Sequence, residues 1–126
     1  MCGIVGIIRK NDSVGKAELT EMNNTQVHRG PDGEGYYIDK NIGFAHRRLS
    51  IIDLESGQQP MATADKNYWI TYNGELYNYL ELKSALESKG HRFSTKSDTE
   101  VVLYAYKEWG KGCLDKFRGM FAFAIH

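Results

Sequence analysis

Sulfur is scarce in this chain: Cys2 and Cys113 are the only two cysteines in 126 residues. Their separation matches no metal-ligand spacing and makes no disulfide framework, so the usage fits a reducing cytoplasm. Net charge is lacking too. Sixteen basic and sixteen acidic side chains cancel, which removes the electrostatic signature of a nucleic-acid or membrane-surface partner. No apolar run approaches the ~18 residues of a membrane span. The amino-terminal apolar stretch has only a few residues and no basic region ahead of it, so no secretory signal is expected. There is no repeat, low-complexity tract or linker. His28, His46 and His91 are scattered without zinc or iron spacing, and no HExxH occurs. The Gly30–Gly35 segment is glycine-rich but is not followed by a helix, so it is no phosphate cradle.

What is present is enough chain for one domain with its own core. Cys2 to Ile8 reads as an apolar, β-branched opening strand. A short helix is expected from Ala17 to about Gln26, with Leu19 and Met22 inward, then a rigid turn over His28–Gly35, where proline fixes φ and glycines permit unusual values. Tyr36–Ile38 and Ile42–Arg47 read as strands joined around Asp39–Asn41, and Leu49–Leu54 as a further apolar stretch. Tyr68–Tyr72 reads as a strand running into Asn73-Gly74. Two helices carry start and stop signals. Asn78 with Glu81 and Ser97 with Glu100 have capping-box spacing. Tyr79, Leu82 and Leu86 form one apolar stripe, Val102, Ala105, Tyr106 and Trp109 the other, and Gly90 and Gly110 end them. Met120–Ile125 reads as a strand buried on both faces that stops abruptly at His126, which suggests a piece of a longer protein. The pattern is α+β with a layered sheet core.

Four features could carry chemistry. With the initiator Met removed, Cys2 would hold a thiol nucleophile and an α-amine base on one residue; the plain alternative is a small buried cysteine opening a core strand. Asn73-Gly74 is either a hairpin turn or an oxyanion site built from a side-chain amide and a backbone N–H. Of Arg47 and Arg48, at least one is expected against the apolar Leu49, Ile51 and Ile52, where a guanidinium can hold a carboxylate through two parallel hydrogen bonds. Asp98 in the first turn of a helix is explained by the helix dipole alone.

Seven blocks, in order, resemble one family: Met1-Cys2-Gly3-Ile4-Val5-Gly6, His28-Arg29-Gly30-Pro31-Asp32, His46 through Asp53, Gln59-Pro60-Met61, Tyr72 through Asn78, Ser97-Asp98-Thr99-Glu100 and Gly119-Met120-Phe121-Ala122-Phe123. They resemble the glutaminase domain of class II, N-terminal nucleophile, glutamine amidotransferases, closest to the asparagine synthetase branch, and the resemblance covers essentially the whole chain. It implies a four-layer αββα sandwich, incomplete on the carboxy-terminal side, spanning residues 1–126. The family's domain runs on for further strands, and in asparagine synthetases a synthetase domain follows in the same longer chain. ATP and Mg are expected only there, with no cofactor or metal in this part.

The resemblance also implies roles. Cys2 would attack the side-chain amide of L-glutamine, and Asn73 with Gly74 would hold the oxyanion. Arg48 would pair with the substrate carboxylate, Asp98 and Glu75 with its ammonium, and backbone groups of Leu49, Ser50, Ile51 and Ile52 would line the pocket. His46 and Arg47 are expected to be structural, and His28–Asp32 to shape a loop near the nucleophile. A cytoplasmic enzyme is expected, with room for a homodimer and no nucleic-acid or membrane partner. Two other readings remain: a class II enzyme of amino-sugar or phosphoribosylamine synthesis, and a non-catalytic fragment that only binds a partner. The Arg48–Asp53 block favours the asparagine synthetase branch over the former.

Overall fold

The computed structural model describes residues 2–50 and 57–126. Three strands form the first sheet: β1 (Gly3–Ile8), β2 (Gly33–Asp39) and β3 (Ile42–Arg48), all antiparallel in the order β1-β3-β2. β2 and β3 pair from Asp39–Ile42 outward, so Lys40 and Asn41 alone make the turn. Lys40 takes φ of 52°, the left-handed conformation that such a short connection demands. The second sheet has the order β4-β5-β6, from Met61–Ala62, Trp69–Leu76 and Gly119–Ile125, again antiparallel.

Helix α1 (Lys16–Asn24) packs on β1 and β3, while α3 (Asp98–Trp109) packs on β4 and β5, with α2 (Tyr79–Ser88) and a 3₁₀ helix (Gly110–Lys116) against it. The sheets face each other. Thr71 Oγ1 donates to Ala45 O at 3.2 Å, His46 Nε2 lies 3.2 Å from Tyr72 O, and Tyr37 stacks on Trp69 with ring centroids 4.1 Å apart. The expected αββα layering is present.

Alternation along β5 divides the core. Ile70, Tyr72 and Leu76 point toward the helices and are buried with Leu82, Leu86, Val102 and Ala105. Burying each of the larger apolar side chains contributes about 1.5–3 kcal/mol, and most of that stabilisation lies on this side. A smaller cluster of Val5, Leu19 and Ala45 lies under α1.

Several local expectations are corrected. Met22 is 45 % exposed; Asn23 is the buried residue beside Leu19, donating to Tyr36 Oη and His46 O. Neither expected capping box forms. Asn78 instead clamps the approach to β6, donating to Lys116 O and accepting from Arg118 N. Ser97 does accept from Thr99 N, but Glu100, itself buried, takes four donors from Ser94 and Thr95. Helix α3 is buried continuously from Thr99 to Ala105 rather than along one stripe, because sheet, α2 and 3₁₀ helix surround it. β2 begins at Gly33, inside the segment read as a turn. β5 runs on through Asn73-Gly74 to Leu76. β6 is covered on one face only: Phe121 and Phe123 pack on the core, whereas Met120 is 63 % exposed. Most of the apolar stretch Leu49–Leu54 lies outside the described residues.

His46 joins the two sheets as a neutral ring. It is 1 % exposed, and burial pushes its pKa from 6.5 down to about 4. The unfolded chain therefore binds a proton that the fold rejects between these values. Stability from this group is fully present above pH 6.5, falls as pH drops toward 4, and levels off below. A loss on the order of 3 kcal/mol is expected. Urea unfolding at pH 7 and pH 4.5 checks this, with His46→Gln expected to flatten the difference.

Candidate active site

Cys2 precedes β1 and is held at both ends of its own structure. Arg29 Nε donates to its carbonyl at 3.1 Å, and Leu49 N–H points at its Sγ at 3.4 Å, with Leu49 O 3.9 Å from the same sulfur. The loop of residues 28–32 lies against Cys2, as Arg29 shows. A Cβ on Gly30 would fall 2.4 Å from the backbone carbon of Arg47, so only glycine lets this loop press against β3. Asp32 Oδ2 accepts from Ser50 N at 2.7 Å, and Asp32 N donates to Arg48 O at 3.0 Å. These bonds fix the segment that carries Arg48, Leu49 and Ser50.

Arg47 is structural, as its neighbours make plain. It forms an ion pair with Glu34 at 2.9 Å, and hydrogen bonds with Asn23 O and Asn24 Oδ1. Arg48 faces differently: with Ser50, Asp32 and Gln59 it lines an open cavity of about 720 Å³. Cys2, Asn73 and Asp98 do not line that cavity; Arg48 and Ser50, which do, flank the Leu49 that meets the Cys2 sulfur. Ile51 and Ile52 lie outside the described residues.

On the facing sheet, Asn73 and Gly74 sit within β5, opposite Ala122 and Phe121 of β6. The hairpin reading is therefore wrong. Trp69 and His126 exchange both N–H···O bonds, at 2.8 and 2.9 Å, and Tyr77 N donates to Arg118 O at 2.7 Å. Antiparallel ladders alternate, so odd-numbered residues of β5 bond to β6 and even-numbered ones turn their N–H groups to the opposite edge. There β4 pairs only with Trp69 and Ile70. Past it, Tyr72 N donates to Gln59 Oε1 at 2.6 Å and Leu76 N to Asp98 Oδ2 at 2.9 Å. Gly74 N–H lies between these two, with no ladder strand beside it among the described residues. The glycine itself is required by β6: a Cβ there would be 2.4 Å from Met120 O.

Side chains of β5 at odd positions face the first sheet, as Thr71 does. Asn73 follows on that face, half-buried, and its carboxamide makes no hydrogen bond with the described residues. Glu75 is exposed, two residues further along. Asp98 is turned toward β5 rather than its own helix: Oδ2 accepts from Tyr72 Oη at 3.0 Å as well as from Leu76 N. Burial and the neighbouring Asp98 carboxylate push the Tyr72 phenol up, so it stays a donor.

The structure thus assembles two groups on facing sheets, Cys2 with Arg29, Leu49 and Asp32, and Asn73-Gly74 with Tyr72, Gln59 and Asp98. β1 lies against β5, but no hydrogen bond joins the two groups among the described residues. Sequence reading missed Arg29, Asp32, Gln59 and Tyr72 as individual contributors. The only signal for them was membership in the quoted blocks. Among the described residues no group of three His, Cys, Asp or Glu side chains is placed to hold a metal, and no helix is long and apolar enough to cross a membrane.

Two stacked antiparallel sheets with helices on both outer faces, and a cysteine at the head of the first strand, define the N-terminal nucleophile type of layered fold. The glutamine amidotransferase domain model matches residues 1–126, and the chain belongs to that family. It is 50 % identical over 129 residues to asparagine synthetase [glutamine-hydrolyzing] 1 of Bacillus subtilis (strain 168), covering 99 % of this chain and 20 % of that protein. It is 42 % identical to asparagine synthetase [glutamine-hydrolyzing] 2 of Oryza sativa subsp. japonica, covering 99 % and 21 %. The chain spans about a fifth of the length of these curated relatives. Among solved structures, the glutamine phosphoribosylpyrophosphate amidotransferase from B. subtilis, complexed with ADP and GMP, matches with a TM-score of 0.58 and 28 % identity. That match covers 71 % of this chain and 22 % of the other.

Proposed function

We propose that this chain is the glutaminase part of a glutamine-dependent asparagine synthetase, a cytoplasmic enzyme whose synthetase domain follows in the same longer polypeptide. The observation that carries the chemistry is the arrangement on β5: an uncommitted Asn73 carboxamide beside an unladdered Gly74 N–H, on a strand against which β1 packs. Cys2, freed of Met1, attacks the amide carbon of L-glutamine. Its thiol proton passes to its own α-amine. A C–S bond forms, and the tetrahedral oxyanion accepts hydrogen bonds from Asn73 Nδ2 and Gly74 N–H. As the C–N bond breaks, the amine returns the proton to the leaving nitrogen, giving ammonia and a glutamyl thioester. Water then attacks the thioester, its proton passing through the same amine to the departing sulfur, and glutamate leaves.

Arg48 pairs with the substrate carboxylate; Asp98, with Glu75, takes the ammonium. Ammonia then serves an aspartate activated with ATP and Mg in the synthetase domain. Identity of 50 % to an asparagine synthetase, against 28 % to the phosphoribosylpyrophosphate enzyme, supports this acceptor over phosphoribosylamine chemistry.

The substrate clamp has a direct test. In Asp98→Asn an oxygen still accepts from Tyr72 and Leu76, so the fold is kept and only charge is lost. Asp98→Asn and Arg48→Ala are each expected to raise KM for glutamine about 10- to 100-fold, as loss of a charge-assisted hydrogen bond implies. kcat should change little. Steady-state release of glutamate and ammonia in equal amounts measures both. A wild-type protein that releases neither would remove the proposal.

A further inference from the structure

We propose that Gln59 and Tyr72 are positioning residues for glutamine hydrolysis, holding the edge of β5 so that Gly74 presents the backbone donor left open there. The inference rests on the function proposed above. A sheet edge whose N–H groups are left without partners is normally paired, covered or filled by side chains. Beyond the two residues that β4 reaches, this edge is filled by side chains. Gln59 Oε1 takes the Tyr72 N–H at 2.6 Å while its Nε2 donates to Thr99 Oγ1 at 3.4 Å, which ties β5 to the first turn of α3. Asp98 takes the Leu76 N–H from that same turn. The N–H groups of Tyr72, Gly74 and Leu76 recur every two residues, roughly 6.6–6.8 Å apart. With both neighbours taken, a substrate oxygen meets one backbone donor, at one height along the strand.

Tyr72 is where the supporting contacts converge. Its N–H goes to Gln59, its carbonyl lies 3.2 Å from His46 Nε2 on the facing sheet, and its hydroxyl goes to Asp98 Oδ2 at 3.0 Å. Asn73 is the next residue. The backbone that carries the oxyanion donors is thereby fixed from the first sheet, from the loop before β4 and from α3. The division of labour follows from the atoms involved. The Tyr72 hydroxyl acts through Asp98, which meets the substrate ammonium in ground state and transition state alike, so it should govern KM. Gln59 acts through the height and orientation of Gly74 and Asn73, which matter most when the oxyanion forms, so it should govern kcat.

The test compares purified wild type with Tyr72→Phe, Gln59→Met and Gln59→Glu, with turnover expressed per molecule whose buried Cys113 resists iodoacetamide, so that loss of folded protein does not count as loss of catalysis. Tyr72→Phe is expected to raise KM for glutamine roughly 3- to 10-fold with kcat within about twofold. Gln59→Met, similar in length but unable to accept, is expected to lower kcat roughly tenfold with KM nearly unchanged. Gln59→Glu keeps an acceptor for Tyr72 N–H and should recover most of that loss. If the wild type turns over glutamine and all three variants match it per site, the positioning role is wrong. The same holds if Tyr72→Phe and Gln59→Met lose kcat alike without a KM change. A wild type without turnover counts against the proposed function itself and removes this inference with it.

Discussion

Replacing Cys2 with alanine is expected to reduce glutamine hydrolysis to the uncatalysed background while leaving glutamine binding and the melting temperature nearly unchanged. The substitution removes the sulfur that Leu49 N–H addresses, yet the two supports of the residue's backbone surroundings, Arg29 on the Cys2 carbonyl and Asp32 on Ser50 N, remain. Cys113 is the internal control. It lies on the 3₁₀ helix, 1 % exposed in the core where that helix packs on α3, and burial pushes its thiol up, away from the reactive thiolate. Cys113→Ala should cost some stability through the cavity it leaves, but no turnover per folded molecule. Steady-state rates and thermal melts of both variants check this, and equal rate losses would contradict the assignment of Cys2.

The second large effect is expected at Asn73. Removing a single oxyanion donor lowers kcat about 10²–10³-fold, with KM little changed, when that donor acts chiefly on the transition state. Asn73→Ala is a clean way to see it, because the carboxamide holds nothing else among the described residues. Gly74→Ala should behave differently. The new methyl group would sit 2.4 Å from Met120 O and 2.7 Å from the Phe121 Cα, so β5 and β6 must separate. Activity and melting temperature should then fall together. Kinetics with thermal melts on the two variants distinguish an isolated catalytic loss from a disrupted sheet. An Asn73→Ala variant altered in KM alone would count against its oxyanion role.

Asn73-Gly74 also illustrates what the sequence could and could not disclose. The dipeptide is a strong local turn signal, and locally the turn and the oxyanion readings stand even until β6 is seen beside it. The pairing partner lies almost fifty residues downstream, and no local pattern encodes it. Asn78 and Ser97 have the spacing of capping boxes, but Asn78 is drawn to the distant Lys116 and Arg118, while Glu100 takes donors from Ser94 and Thr95, just ahead of its helix. Met22 lost its expected inward place to Asn23, since a buried amide that bonds Tyr36 Oη and His46 O fits there better than its polarity suggests.

What did read correctly depends on short-range periodicity and turn residues. The apolar opening strand, the hairpin at Lys40-Asn41, and the Leu82–Leu86 stripe of α2 all appear where period and turn residues put them. Cys2, Arg48, Asn73 and Asp98 were grouped as a set by the family resemblance, which one zwitterionic amide makes chemically sensible, and the variants above test their roles. Gln59 and Tyr72 were not, because their work is done on other residues of this chain rather than on a ligand. Asp98 is the intermediate case. The helix dipole explained it locally, whereas its geometry turns it toward β5.

The most direct measurement is a rapid acid quench of the protein mixed with glutamine, followed by peptide mass spectrometry. A glutamyl group is expected on the peptide that begins with Cys2, with Met1 absent, accumulating before steady state and missing from Cys2→Ala. Turnover without any adduct on that peptide, or an adduct on Cys113 instead, would contradict the assignment of Cys2 as the nucleophile.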